Sequence, residues 1–367
     1  MKRLRFGSSL FAVVCGCASL APAASSSPAS GQADAGEWAP YEETLFDHVR
    51  IASDGSQPNF QRAHAEVDFR GLQFSSATLV VDLATTCYPF ENWQTDPPPS
   101  GQNFPADCDA FDRNFEISFD QPQKPDDPPA VEVMRAITPF GGPEHQEIDI
   151  TDFANGRPGK HRIDVVIPTY SDGSGQVSGS AGGWDVTVKL RATPGAPPRN
   201  VLAVIPLVDE SRHLGDPAAA TTFTVPRGAR STRLEYRVTG HGGATDHSPA
   251  CIGPAEEFCR RTHHLSLDGH ELDAFVPWRT DCASLCTLTH YGPASGGFDY
   301  CLQNPTGAIP SVKAARANWC PGSLTPPRAY DPALLHTPGS HTFSYAIDDE
   351  AAGGVWRVSA VLYVFGS

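Results

Sequence analysis

Three short strings concentrate the side chains able to do chemistry: CDAFDR (108–113), EFCRRTH (257–263) and RANWCPG (316–322). Each sets a cysteine among charged and aromatic residues, so a disulfide there would hold carboxylates and guanidiniums rigidly at a surface cleft. Asp112 can position and deprotonate water, while Arg113 and Arg316 can stabilise charge that develops on a carbonyl oxygen. An ordinary aspartate, with a pKa of about 3.9, is a weak base and must rely on positioning. Flanking arginines lower it further, so any activity that needs Asp112 ionised is expected to fail only below about pH 4.

The elements that must position these strings read as strands. Runs rich in β-branched residues recur between Pro, Gly and Asp clusters: ATLVVDLA (77–84), NFEISF (114–119), VEVMRAI (131–137), HRIDVVI (161–167) and WDVTVKLRA (184–192). The texture continues in VLAVIPLV (201–208), TFTV (222–225), RLEYRV (233–238), HLSLDG (264–269), HTFSYAI (341–347) and WRVSAVLYVF (356–365). Nearly all are too short for helices and several alternate apolar with polar residues, which predicts an all-β protein. The 34 prolines and 33 glycines supply turns, and the spacing suits antiparallel sandwiches. The proline-rich stretches 94–107 and 120–129 are expected as loops. TPGAPPRN (193–200) marks a boundary between domains expected over 41–195 and 196–367.

Ahead of these, Lys2, Arg3 and Arg5, an apolar run over 8–20 and Ala21-Pro22-Ala23 have the form of a secretory leader over 1–23, followed by a disordered spacer over 24–40. The expected location is secreted or periplasmic, and Cys17 lies in a near-lipobox that offers lipid anchoring. No later segment has the roughly 20 apolar residues of a membrane-spanning helix. With 42 acidic against 27 basic residues the formal charge is −15, which argues against nucleic acid as a partner. His263 and His264 are adjacent and, on a strand, point to opposite faces, so no metal site is expected from them. No G-x-S-x-G elbow is present, and no cofactor is implied.

Beyond the leader, cysteines in an exported chain favour disulfides. Cys87 and Cys108 stand alone in the first half and should pair; Cys251 with Cys259 is a natural loop closure, which leaves Cys282, Cys286, Cys301 and Cys320.

CDAFDR, then ITPF and EIDITDF (147–153), a TGHG turn (239–242), CIGPAEEFCRRTH and finally RANWCPG, in that order, resemble the peptide-N-glycosidase F family of secreted bacterial enzymes. The resemblance runs from about residue 45 to the C-terminus. It implies two adjacent eight-stranded jelly rolls with a cleft at their interface, and hydrolysis of the amide between asparagine and the first N-acetylglucosamine of an N-glycan. N-glycosylated proteins or glycopeptides would be the partners, met by a monomer. Asp112 stands at the family's essential aspartate and Glu257 at its second carboxylate, with Arg113 and Arg316 at the two cleft arginines. The resemblance supports the two local pairings and also Cys282–Cys320, so that Cys286–Cys301 follows by elimination.

The chain also departs from the family. Pro168 falls where a third acid is expected, with Tyr170 in place of tryptophan and Asp172 near enough to substitute for the acid. Phe111, Phe258 and His241 replace three further tryptophans, while Trp319 is kept as a ring to face sugar. Two functional classes follow: an amidase that releases N-glycans, and a non-catalytic carbohydrate-binding or adhesion module on the same scaffold.

Overall fold

The structure, a computed structural model, describes residues 39–243 and 250–367. The expected leader with Cys17, and the spacer as far as residue 38, lie outside the described residues.

Strand NFEISF shows how the first half forms. Phe115, Ile117 and Phe119 point into a hydrophobic core shared with Phe69, Phe74 and Phe153, while Glu116 and Ser118 point the other way. This strand, Asn114–Phe119, lies between Val131–Ile137 and Lys160–Val166, with Arg62–Asp68 beyond. The facing sheet runs Tyr41–Ala52, Gly183–Pro194, Phe74–Ala84, Glu144–Asp149. In chain order, strands one, eight, three and six form one sheet and two, seven, four and five the other, which is the jelly-roll arrangement.

The second half repeats it. One sheet runs Arg328–Tyr330, Ser231–Gly242, Gly354–Phe365, Val201–Arg212; the other runs Ala219–Val225, Gly339–Ile347, His263–Leu267, His270–Phe275. The fold is therefore all-β, two eight-stranded antiparallel jelly rolls. Several strands escape the sequence pattern. Tyr41–Ala52 is broken by two register shifts, and Glu144–Asp149 and His270–Phe275 are polar edge strands with no fully buried residue. TGHG is not a turn but the end of Ser231–Gly242, paired with Gly354–Arg357. Gly240 has to be glycine there, because a Cβ would stand 2.8 Å from the Trp356 ring and 2.9 Å from Ala317.

The two sandwiches meet face to face. Val204, Val361, Tyr363 and Phe365 of the second half belong to the hydrophobic cluster of the first. Every residue of Val131–Ile137 is buried, since one face meets its own core and the other its neighbour. Polar groups on this interface are paired: Arg357 Nε lies 3.0 Å from both oxygens of Glu116, and Arg135 Nε donates to Glu132 at 2.8 Å. Residues 323–324 leave the second half altogether and add a short antiparallel strand, Ser323–Leu324, to Ala136 and Ile137 of the first.

Two loop regions stand beside this interface. One is the Cys87–Cys108 loop of the first half; the other, residues 276–327 between strands of the second, holds the hairpin Leu288–Tyr291/Phe298–Cys301 and the short helix Ile309–Lys313. Disulfides join Cys87–Cys108, Cys251–Cys259, Cys282–Cys320 and Cys286–Cys301.

Candidate functional site

CDAFDR contains two aspartates, and the fold gives them opposite fates. Asp109 is fully buried and accepts from six donors: Arg113 twice at 2.9 Å, Ser178 Oγ and Trp184 Nε1 at 3.1 Å, the Phe111 amide at 3.2 Å, and Thr169 Oγ1. Such a carboxylate has no lone pair to spare and serves as a buried anchor. Three residues later, Asp112 faces a cleft of about 320 Å³ lined by Phe104, Phe111, Phe140 and Val177 on one side and by Glu257, Thr306, Ser311 and Arg316 on the other.

Glu257 arrives by a parallel device. The turn Glu256–Phe258 is closed by Cys251–Cys259, and Glu256 is buried under Arg261, with two contacts of 2.9 Å, and the Trp356 indole at 2.9 Å. Its neighbour Glu257 is thereby turned to the cleft.

Arg316 lies between the two acids. Its Nη2 is 3.8 Å from Asp112 and its Nε 3.9 Å from Glu257, too long for hydrogen bonds. The guanidinium is held instead by the Ser311 carbonyl at 2.5 Å and Ser311 Oγ at 3.0 Å, and its face lies 4.6 Å from the Trp319 ring centre. Nε is buried without a hydrogen-bond partner. A cation aimed at two carboxylates without bonding either leaves room for a ligand atom.

Electrostatics follow from that geometry. Burial pushes Asp112 up to about 6, against the opposing pull of Arg316 and Arg113. Burial, with repulsion from Asp112, pushes Glu257 up to about 7, again against Arg316. The expectation that arginines hold Asp112 low is therefore overturned: desolvation exceeds attraction from guanidiniums that make no direct hydrogen bond to it.

The remaining residues singled out by sequence divide clearly. Phe111 lines the cleft, and Phe258 flanks Arg316 at 5.1 Å. Arg113 is committed to Asp109, with Tyr170 beneath it at 4.0 Å, so it acts from behind the cleft wall and not within it. Trp319, expected to face sugar, is 1% exposed; it donates to the Gly240 carbonyl at 2.8 Å and stacks on His241 at 5.2 Å. Burial drives the His241 pKa down to about 3, so this ring stays neutral. Asp172 accepts the backbone amides of Ser174, Gly175, Gln176 and Val177, which organises its loop and lowers its pKa. It is not among the cleft-lining residues, although Val177, whose amide it accepts, is one of them. Phe104, Val177, Thr306 and Ser311 carry no local signal of a site, because they sit on separate loops that only the fold brings together, and Phe140 is legible only as the end of ITPF.

Among the described residues no group of three or more His, Cys, Asp and Glu side chains converges as a metal site, and no helix is long and apolar enough to cross a membrane. His263 bonds the Tyr236 hydroxyl at 2.9 Å inside the second core, and His264 points outward to Glu271 and Asp348.

Two eight-stranded jelly rolls, with a cleft beside their interface that holds two acids and one arginine, define a two-domain β-sandwich protein. Residues 211–363 match the family model described as peptide-N-glycosidase F, C terminal. In structure, the chain is similar to PNGase F, a glycosylasparaginase from Flavobacterium meningosepticum, with 18% identity over 89% of this chain and 96% of that one and a TM-score of 0.61. It is similar also to PNGF-II, with 19% identity, 89% of this chain covered and a TM-score of 0.64, though it spans only 65% of the length of that protein. No curated protein sequence matches the chain. The family match is thus confined to residues 211–363, less than half of the chain, and the described residues share the two-domain β-sandwich fold of the PNGase F structures.

Proposed function

We propose that the protein is an exported amidase that hydrolyses the amide bond joining the asparagine side-chain carbonyl to the nitrogen of the first N-acetylglucosamine of N-glycans. One observation carries this reading: Asp112 and Glu257, from different jelly rolls, face a single cleft across one buried arginine. Asp112, near pKa 6, is a competent base close to neutrality, since a catalytic base works best with a pKa near the working pH. It takes a proton from water as the oxygen attacks the amide carbon, and Arg316 Nε stabilises the resulting oxyanion. Glu257, near pKa 7, retains a proton that it passes to the departing glycosylamine as the carbon–nitrogen bond breaks. Asparagine becomes aspartate and the glycan leaves. Four disulfides suit an oxidising compartment.

The test is incubation with a denatured N-glycoprotein in ¹⁸O-water. The expected result is released glycan together with aspartate labelled at the former glycosylation site. Absence of both across pH 5 to 8 would overturn the reading. The alternative, a carbohydrate-binding module, is favoured by the missing acid at Pro168; it predicts glycopeptide binding without release.

A further inference from the structure

The cleft does not end at Asp112. Phe104, on its wall, packs edge-on against Trp93 at 6.2 Å; Trp93 meets Phe90 at 5.5 Å, and Phe90 meets both Phe298 and Tyr291 at 5.2 Å. These rings come from two disulfide-closed loops on different jelly rolls: Cys87–Cys108 supplies the first three, and the hairpin closed by Cys286–Cys301 the last two. The loops are tied by the Tyr88 and Tyr300 hydroxyls at 3.4 Å, and Thr306 donates to the Ala110 carbonyl at 2.9 Å beside them. Phe90 is buried as the hub. Phe298 is 49% exposed, and Trp93, Tyr291 and Phe104 are half-buried. A continuous aromatic strip therefore leads from the acid-lined cleft to open surface, three ring steps long.

Composition says what such a strip suits. Neither 87–108 nor 286–301 contains Lys or Arg; between the rings stand Glu91, Asn92 and Asp96, with Asp299 bonded to His290 at 2.8 Å. Negative ring faces attract the positive edges of C–H groups, and carboxylates and amides accept hydroxyl hydrogens. An anionic ligand would be repelled. The ligand that presents C–H faces and hydroxyls together, without charge, is a neutral oligosaccharide.

We propose that this strip, from Phe104 to Phe298, is an extended subsite for a neutral oligosaccharide and carries the outer sugars of a glycan whose stem lies in the cleft. This goes beyond the amidase reading and rests on it only for the direction in which the glycan enters.

The test separates the two. Binding of a free neutral high-mannose oligosaccharide to the Asp112→Asn protein is measured by calorimetry and by intrinsic tryptophan fluorescence, with Phe298→Ala and Tyr291→Ala as probes and Leu288→Ala as control. Leu288 is 58% exposed and pairs with Cys301, so it points to the opposite face of the hairpin from Phe298. Each ring deletion is expected to weaken binding about tenfold; the control is expected to leave it unchanged. This readout needs no turnover, so failure of the amidase reading would leave it intact. A free chitobiose should bind equally to all variants. Equal binding of the long oligosaccharide to Phe298→Ala and the parent would overturn the proposal. So would a Phe298→Ala defect that tracks the peptide length of glycopeptide substrates and not glycan length, which would assign the strip to the peptide arm.

Discussion

The interface between the jelly rolls and the cleft beside it are built from the same ingredients, buried carboxylates and buried arginines, yet they behave oppositely. At the interface Arg357 touches Glu116 at 3.0 Å, and although burial opposes ionisation, Arg357 and Arg135 prevail and lower the Glu116 pKa. In the cleft Arg316 stands 3.8 and 3.9 Å from its two acids, and burial prevails. Asp209 shows what happens when one cation is divided: it shares Arg357 with Glu116 and is pushed up to about 6, by burial first and then by Glu132 and Glu116. What decides between a structural ion pair and a titratable acid is therefore how much of a cation each carboxylate commands: Glu116 has two arginines, Asp209 shares one, and Arg316 spends its hydrogen bonds on Ser311 and bonds neither acid.

The comparison is broken most severely at Asp112. Asp112→Asn keeps the shape and removes the base, so glycan release should fall about 10²- to 10⁴-fold with glycopeptide binding retained. Glycan-release kinetics and calorimetry check this, and release at the parent rate would remove Asp112 from the mechanism. On the interface side, Arg357→Ala leaves Asp209 buried without its cation and Glu116 with only Arg135, at 4.0 Å, and should cost about 3–5 kcal/mol in urea unfolding. The same change should leave Km for glycopeptide unaltered under conditions where the protein is folded.

Stability against pH sharpens the contrast. Asp112 has a folded pKa above its ordinary value, so its protonated form is the one the fold prefers. The associated stability is fully present below about pH 4 and is lost as pH rises toward 6. Asp112→Asn should therefore be more stable than the parent by ~3 kcal/mol at pH 7.5. The difference should vanish near pH 4, as read from urea midpoints at both pH values. Activity should follow a narrow bell, rising near pH 6 and falling near pH 7, with both limbs belonging to the Asp112–Glu257 pair jointly. The smallest effect concerns position: Arg316→Lys keeps the charge but loses the planar fork held by Ser311, and should reduce turnover about tenfold without moving the limbs by more than about half a unit.

The alternation of NFEISF made its strand legible, but pattern alone would send Glu116 and Ser118 to solvent; a second sandwich covers them instead. The strings around Cys108, Cys259 and Cys320 announced the site because covalent closure and charge coincide there. They could not say which of Asp109 and Asp112, or of Glu256 and Glu257, faces outward. That choice is made by Trp184 and Trp356, which claim Asp109 and Glu256 from distant strands. The direction of the Asp112 shift was illegible for the same reason, since neighbours in sequence reveal charge but not solvent exclusion.

The short strand Ser323–Leu324 carries a consequence for biosynthesis. Val131–Ile137 would otherwise be the terminal strand of its sheet, with the backbone of Ala136 and Ile137 open along VEVMRAI. A chain emerging from its N-terminus completes this sandwich long before residue 323 exists, so the nascent first half carries an open, apolar sheet edge of the kind that recruits other chains. Expressed alone, residues 39–200 should accumulate as aggregates, and supplying residues 201–367 as a separate fragment during refolding should return them to solution.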